Sequence, residues 1–132
     1  RIYVVRDSNI QAINRDHNFR LQLDTMLREG QITEDEYRQQ EDQAEALISF
    51  LGIGNVSLID HNTEPLMLCE NDLIILCSDG LYKRLSNDAI LDIVEDNQNS
   101  MQQIAERLNQ VVMQLTQASQ DNTSIILLKY GR

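Results

Sequence analysis

The sequence predicts an α+β fold, and three observations support this prediction. Runs rich in β-branched and aromatic residues predict strands, while stretches with apolar residues at helical spacing predict helices. The elements occur in blocks, in the order β-β-α-α-β-β-β-α-α-β, and do not follow the strict alternation of a parallel sheet. The length of 132 residues, without repeats or a flexible linker, fits one domain.

The first block begins with a predicted hairpin. Residues 1–6 are mostly β-branched or aromatic, and the cluster Asp7-Ser8-Asn9 is typical of a turn. Residues 10–13 then return as the partner strand. Because the chain begins at Arg1 with an apparent strand, we expect it to begin inside a larger fold. We also expect this first strand to form an unpaired sheet edge that pairs with another chain.

Two helices are predicted next. Apolar residues over 19–27 suggest the first, with Gly30 as its C-terminal signal. Thr33 and Glu36 have the spacing of a capping box, which predicts a second helix running to about residue 51. The early part of that helix is strongly acidic and is expected to be a solvated face.

The second half contains three strand candidates, two capped helices and a last strand. Residues 56–59 and 66–68 are short candidates, whereas the continuous apolar run 73–77 predicts a strand buried on both faces. The remaining signals are Ser86 as a helix cap, a capping box of Ser100 with Gln103, and a strand over 123–130.

Composition narrows the classes of partner. The formal charge of −10 and pI near 4.4 argue against nucleic acid and against anionic membranes, since both attract basic surfaces. No stretch approaches the length of a membrane helix. Cys69 and Cys77 are too few for a disulfide framework or zinc site and are interpreted as small apolar side chains. Their presence favours a cytoplasmic location.

Asp79 and Asp121 are the candidate functional residues. Asp79 follows the apolar run 73–77, and Asp121 precedes the last strand. If those strands are antiparallel neighbours, both carboxylates lie at one sheet edge, where a hard cation such as Mg²⁺ or Mn²⁺ would offset their repulsion. Gly80 would let the backbone approach such a site closely. The alternative is that both aspartates are ordinary turn residues.

These residues stand in motifs that resemble the metal-dependent protein phosphatases of type 2C, bacterial branch. Cys77-Ser78-Asp79-Gly80-Leu81 and Asp121-Asn122-Thr123-Ser124 resemble the two C-terminal motifs of that family. Further pieces occur in the family's order: Arg1-Ile2-Tyr3, Arg15-Asp16-His17-Asn18, Leu27-Arg28-Glu29-Gly30-Gln31-Ile32-Thr33, Asn71-Asp72-Leu73, and Leu85-Ser86-Asn87-Asp88-Ala89-Ile90. The similarity covers essentially the whole chain.

The resemblance implies that residues 1–132 are the C-terminal part of a single phosphatase domain, with a helical flap at about 28–50. It implies half of a β-sandwich flanked by helices, in α-β-β-α layers. In the complete enzyme, Mn²⁺ or Mg²⁺ ions would activate a water that hydrolyses phosphoserine or phosphothreonine. Asp79 and Asp121 would be metal ligands, and Asn122 would orient Asp121. The expected partners are a phosphoprotein substrate, such as a Ser/Thr kinase or its targets, and the missing N-terminal half.

Departures from the family pattern keep a second hypothesis open. The chain has neither the Asp-Gly-His-Gly motif nor the phosphate-binding Arg of the family's first half, and Asn71 replaces a usual Gly. We therefore expect the isolated chain to be inactive; alternatively, it is a non-catalytic half-domain or pseudophosphatase module that binds a partner. Lys83 and Arg84 are candidate substrate contacts. His17 and His61 are interpreted as structural and exposed residues, without an assigned role.

Overall fold

The structure is a computed structural model, and it describes residues 1–56, 58–95, 100–115 and 121–131. The chain divides into two compact units, Arg1–Asn14 with Glu64–Arg132, and Arg15–Thr63. Among the described residues, no helix combines the length and apolar character that crossing a membrane requires.

The strands are β1 Ile2–Arg6, β2 Asn9–Ala12, β3 Leu73–Cys77 and β4 Ile125–Lys129. The helices are α1 Phe19–Arg28, α2 Glu34–Gln39, α3 Asp79–Tyr82, α4 Asn87–Val94 and α5 Met101–Gln114.

The first unit contains a four-stranded antiparallel sheet in the order β2-β1-β3-β4. The predicted hairpin is confirmed, and Asp7 and Ser8 form its two-residue turn with φ of 49° and 56°. Two positive φ values in succession match the right-handed twist of a hairpin. Asn71, which precedes β3, also has a positive φ of 73°, a conformation that Asn adopts more readily than most residues. The α+β class is confirmed.

The expectation that the first strand forms an unpaired edge is wrong. β1 lies inside the sheet, where Tyr3 pairs with Ala12 on one side and with Ile75 on the other. The sequence shows which stretches are extended but not their order in the sheet, because β3 follows β1 by more than 60 residues. The edges of the sheet are β2 and β4.

One face of the sheet packs against α3, α4 and α5. Tyr3 and Ile75 lie fully buried on this face, with Leu127 of β4 partly buried beside them. The helices begin at the predicted caps: Ser86 Oγ accepts from the Ala89 N–H, and Ser100 forms the capping box with Gln103. The buried core of the unit is Tyr3, Val5, Ile10, Leu73, Ile75, Leu81, Leu85, Ile90, Val94, Ile104, Leu108 and Val112.

The opposite face of the sheet is also apolar, and we call it the outer face. The strand register places six apolar side chains on it: Ile2, Val4, Ile74, Leu76, Ile126 and Leu128. Val4 is buried, with 8% exposure, but none of the six belongs to the hydrophobic cluster that contains the helices. Ile126 is 57% exposed and Leu128 is 51% exposed. The run in β3 therefore has one buried face, while the prediction of two buried faces is not met within the described residues.

The second unit contains α1, α2 and one 3-10 turn, Glu41–Gln43. The predicted capping box of Thr33 with Glu36 is present, and Gly30 follows α1 with a φ of 69°. The prediction that the second helix continues to about residue 51 is wrong, because the chain after the 3-10 turn bonds to the start of α1. The Phe19 and Arg20 N–H groups donate to the Ala46 and Ala44 carbonyls.

The short strands predicted at 56–59 and 66–68 do not form in the described residues, which leave out Ser57. In the first unit, two main-chain groups near residues 66–68 bond to side chains. Arg6 Nη2 donates to the Met67 carbonyl, and the Cys69 N–H donates to Asp72 Oδ2. In the second unit, Ser49 Oγ donates to the Leu58 carbonyl. Cys69 is exposed, so its interpretation as a small apolar side chain in apolar surroundings is wrong.

Candidate functional site

The candidate site lies at the edge of the sheet where β3 ends and β4 begins. The two strands are antiparallel neighbours, which is the condition under which the sequence placed Asp79 and Asp121 at one edge, and Cys77 pairs with Ile125. Beyond that pair the Ser78 N–H donates to the Ser124 carbonyl at 3.0 Å. Ser78 Oγ accepts from the Ser124 N–H at 3.0 Å and donates to the Asn122 carbonyl at 3.1 Å. The Ser78 hydroxyl thus ties the two loops together.

This tie brings the loops of Asp79 and Asp121 to the same sheet edge. Asp79 is the first residue of α3 and its side chain is 34% exposed. Asp121 is exposed, and its Oδ1 accepts from the Asn122 N–H at 2.8 Å. The contact that orients Asp121 therefore comes from the main chain of Asn122.

Gly80 allows these loops to approach each other closely. A Cβ atom at this position would lie 2.6 Å from the Asn122 carbonyl oxygen and 2.8 Å from Thr123 Oγ1. Thr123 Oγ1 is buried without a hydrogen-bond partner in the part of the chain that the structure describes. Gly80 therefore allows a close approach of two main chains, while its close approach to a bound cation stays a prediction.

The donor set fits a hard divalent cation in type but is incomplete in number. Carboxylate oxygens are the ligands that Mg²⁺ and Mn²⁺ prefer. Across the described ranges, however, no group of three or more His, Cys, Asp and Glu side chains is placed to hold a metal ion. Two aspartates cannot fill six coordination positions, so other protein groups or waters must supply the rest.

Lys83, a candidate substrate contact, lies beside Asp79. Its Nζ is 3.0 Å from Asp79 Oδ2, and the two residues are one helical turn apart. Arg84 follows at the end of the same turn, where its N–H donates to the Leu81 carbonyl. Contact of either side chain with a substrate stays a prediction.

A second charged group of the first unit escaped the sequence analysis. Arg6 Nε and Nη2 donate to Asp72 Oδ1 and Oδ2 at 2.8 and 2.5 Å, and the Asp72 side chain is 1% exposed. The Arg6 hydrogen bonds lower the pKa of Asp72 to about 2. Because Asp72 precedes β3 and Asp79 follows it, the pair lies at the other end of the strand. Asp72 stands in the motif Asn71-Asp72-Leu73, but only the long-range contact shows that Arg6 is its partner.

The two histidines lie in the second unit. His17 Nε2 is 3.3 Å from Asp60 Oδ2, and His61 is exposed. Arg15 donates to both oxygens of Asp60, and these bonds hold the Asp60 pKa well below its usual range. These contacts form an ion-pair cluster around Asp60. We assign no catalytic role to either histidine.

Comparisons with known proteins agree on one family. Residues 64–125 match the model of the family Protein phosphatase 2C. The S. agalactiae serine/threonine phosphatase is 24% identical with a TM-score of 0.74, and the alignment covers 100% of this chain and 50% of that chain. The PPM Ser-Thr phosphatase MsPP from Mycobacterium smegmatis, in complex with cacodylate, is 26% identical with a TM-score of 0.63, covering 98% and 52%.

A third solved relative contains metal. The catalytic domain of the serine threonine protein phosphatase PstP, in complex with two manganese ions, is 25% identical with a TM-score of 0.56. Its alignment covers 96% of this chain and 47% of that chain. No curated protein matches the sequence.

The fold of this chain corresponds to part of the fold of these serine/threonine phosphatases. The resemblance to the type 2C phosphatases is confirmed, by the match of residues 64–125 and by the fold of the whole chain. The chain spans about half the length of the solved relatives that it matches.

Proposed function

We propose that this chain is the C-terminal half of a metal-dependent phosphoserine/phosphothreonine protein phosphatase. The joined loops of Asp79 and Asp121 carry the proposal. Ser78 bonds both the Asn122 carbonyl and the Ser124 N–H, and Gly80 leaves no room for a side chain between the loops. This construction supports a ligand site better than two independent turns, which would need no such close approach.

Mn²⁺ or Mg²⁺ is the cofactor that we propose for this edge. Asp79 and Asp121 would supply carboxylate oxygens, and the Asn122 N–H would hold Asp121 in its orientation. The two manganese ions of the PstP relative support this choice. When bound, such cations activate water for attack and neutralise charge that develops on a phosphoryl group. Lys83 and Arg84 would contact the phosphate of the substrate, a phosphoprotein such as a Ser/Thr kinase or a target of one.

The remaining half of the domain would dock on the outer face of the sheet. Sheets pack face to face at about 10 Å, with apolar side chains interdigitated. The outer face offers such side chains, including the half-exposed Ile126 and Leu128. The relatives are about twice as long as this chain, which is enough for a second sheet. The complete protein would then be a two-sheet sandwich located in the cytoplasm.

A non-catalytic module is the second candidate. The ion pair between Lys83 and Asp79 favours it, because this ammonium already neutralises one of the two proposed ligands. The described residues contain no cluster of three metal ligands. This finding is compatible with both candidates, an inactive half of an enzyme and a pseudophosphatase module.

A titration of the full 132-residue chain with Mn²⁺, followed by amide NMR, tests the metal site. Paramagnetic broadening is expected first at Gly80 and Asn122, which neighbour the two proposed ligands. Asp79→Asn and Asp121→Asn should weaken this broadening, while Asp92→Asn, an exposed carboxylate on α4, should leave it unchanged. Equal broadening in all three variants would rule out the site.

A further inference from the structure

Lys83 is placed on Asp79 by the short helix α3. The Lys83 N–H donates to the Asp79 carbonyl at 3.0 Å, which closes the single turn that connects the two residues. The same turn brings Lys83 Nζ to 3.0 Å from Asp79 Oδ2. An acidic residue four positions before a basic one is the favourable order for such a pair on a helix.

The position of this turn is itself fixed by packing. Gly80, the second residue of α3, contacts the backbone of Asn122, and Leu81 is fully buried in the core. The Asp79 side chain and the Lys83 stem therefore extend from a rigid segment, although their ends are 34% and 44% exposed. The ammonium stays close to the carboxylate without any rearrangement of the backbone.

We propose that Lys83 is a built-in competitor of the divalent cation at Asp79. This inference rests on the proposed function, in which Asp79 is a metal ligand. The ammonium occupies one oxygen of the carboxylate, and two positive charges a few ångströms apart repel each other. A cation that binds Asp79 must therefore displace Lys83 or bind beside its positive charge. In either case the chain binds its metal more weakly than the two carboxylates alone would.

The size of the effect follows from the exposure of the pair. Exposed ion pairs are worth little, so the competition weakens cation binding by a small factor. Removing the Lys83 charge should tighten Mn²⁺ binding by about two- to fivefold. It also removes a cation from the edge where a phosphate is proposed to bind.

Lys83→Met is the test variant, because it removes the charge and keeps an unbranched stem. Lys129→Met is the matched control, since Lys129 lies at the far end of β4, opposite Leu73. Both variants make the net charge more negative by one, so a general gain in Mn²⁺ attraction affects them equally. Mn²⁺ affinity is measured from the broadening of the Gly80 and Asn122 amides in the full chain, after the amide spectrum has shown that each variant is folded.

Three outcomes separate the possibilities. Tighter Mn²⁺ binding in Lys83→Met than in Lys129→Met supports the competition. Equal Mn²⁺ affinity in Lys83→Met and Lys129→Met overturns the competition. In that case the proposed metal site still stands if Asp79→Asn weakens the broadening. If Asp79→Asn does not weaken the broadening in the wild-type background, the metal site fails, and the competition at Asp79 fails with it.

Discussion

The carbonyl oxygen of Asn122 lies 2.6 Å from the position that a Cβ atom on Gly80 would occupy. Such a distance is shorter than any ordinary non-bonded contact of a methyl group, so only glycine fits without a shift of the backbone. The loop after β3 and the loop before β4 therefore approach each other closely at this point. This contact holds the residues that flank Asp79 and Asp121 in one place.

Gly80→Ala should destabilise the chain because a methyl group has no room there. Overpacking of this kind typically costs about 1–3 kcal/mol of unfolding free energy, measurable by urea denaturation. Adding Thr123→Ala should recover only part of the loss, since that change removes the side-chain oxygen at 2.8 Å but leaves the backbone carbonyl. If Gly80→Ala were as stable as the wild type, the two loops could move apart without loss of unfolding free energy, and the prediction would be wrong.

Asp72 should make the stability of the chain depend on acid. Its pKa is about 2 in the folded state because of Arg6, whereas an aspartate in an unfolded chain titrates near ~3.9. The unfolded state therefore binds the proton first as the pH falls. The stabilisation is complete above about pH 4 and is lost as the pH drops towards 2.

Asp72→Asn tests this dependence, since it keeps the shape of the side chain and removes its charge. The urea midpoint of the variant should fall below that of the wild type at pH 7, and the gap should close towards pH 2. Asp92→Asn, on the exposed face of α4, should follow the wild type at every pH. A gap between wild type and Asp72→Asn that is constant with pH would exclude the Arg6 ion pair as its cause.

Local signals in the sequence were sufficient for the starts of α2, α4 and α5 and for the hairpin. Thr33 and Ser100 cap their helices because each needs only a partner three residues away. The meeting of the Asp79 and Asp121 loops was also predictable, since neighbouring antiparallel strands bring the end of one to the start of the other.

Contacts between distant residues account for what the sequence analysis missed. β1 became an inner strand because β3, far along the chain, pairs with it. The second helix ended early because Ala44 and Ala46 bond to the start of α1 instead of continuing the turn. The spacing of Asp79 and Lys83 is an ordinary helical pair, but only the structure shows a helical turn at that position.

Leu127 and Leu128 offer a matched pair on opposite faces of β4. Leu127→Ala should cost roughly 2 kcal/mol, because its side chain packs against the core, while Leu128→Ala should stay within about 0.5 kcal/mol. The comparison uses urea denaturation of the two single variants. Equal losses would mean that the outer face is covered within this chain.

The outer face should cause self-association of the chain when nothing else covers it. Large exposed apolar patches are sites of protein contact. Sedimentation at increasing concentration should show oligomers for the wild type and fewer for a variant with Ile126→Ser and Leu128→Ser. A stable monomer at high concentration would contradict the proposed docking surface.

The isolated chain should not hydrolyse phosphate esters, even with excess Mn²⁺. The proposed site has two carboxylates, and the described residues contain no cluster of three metal ligands, so the proposed cations would lack much of their coordination shell. With p-nitrophenyl phosphate or a phosphothreonine peptide, the Mn²⁺-dependent rate should equal that of buffer containing Mn²⁺. Hydrolysis that Asp79→Asn abolishes and Asp92→Asn preserves would prove the prediction wrong, because a contaminating phosphatase would be insensitive to both changes.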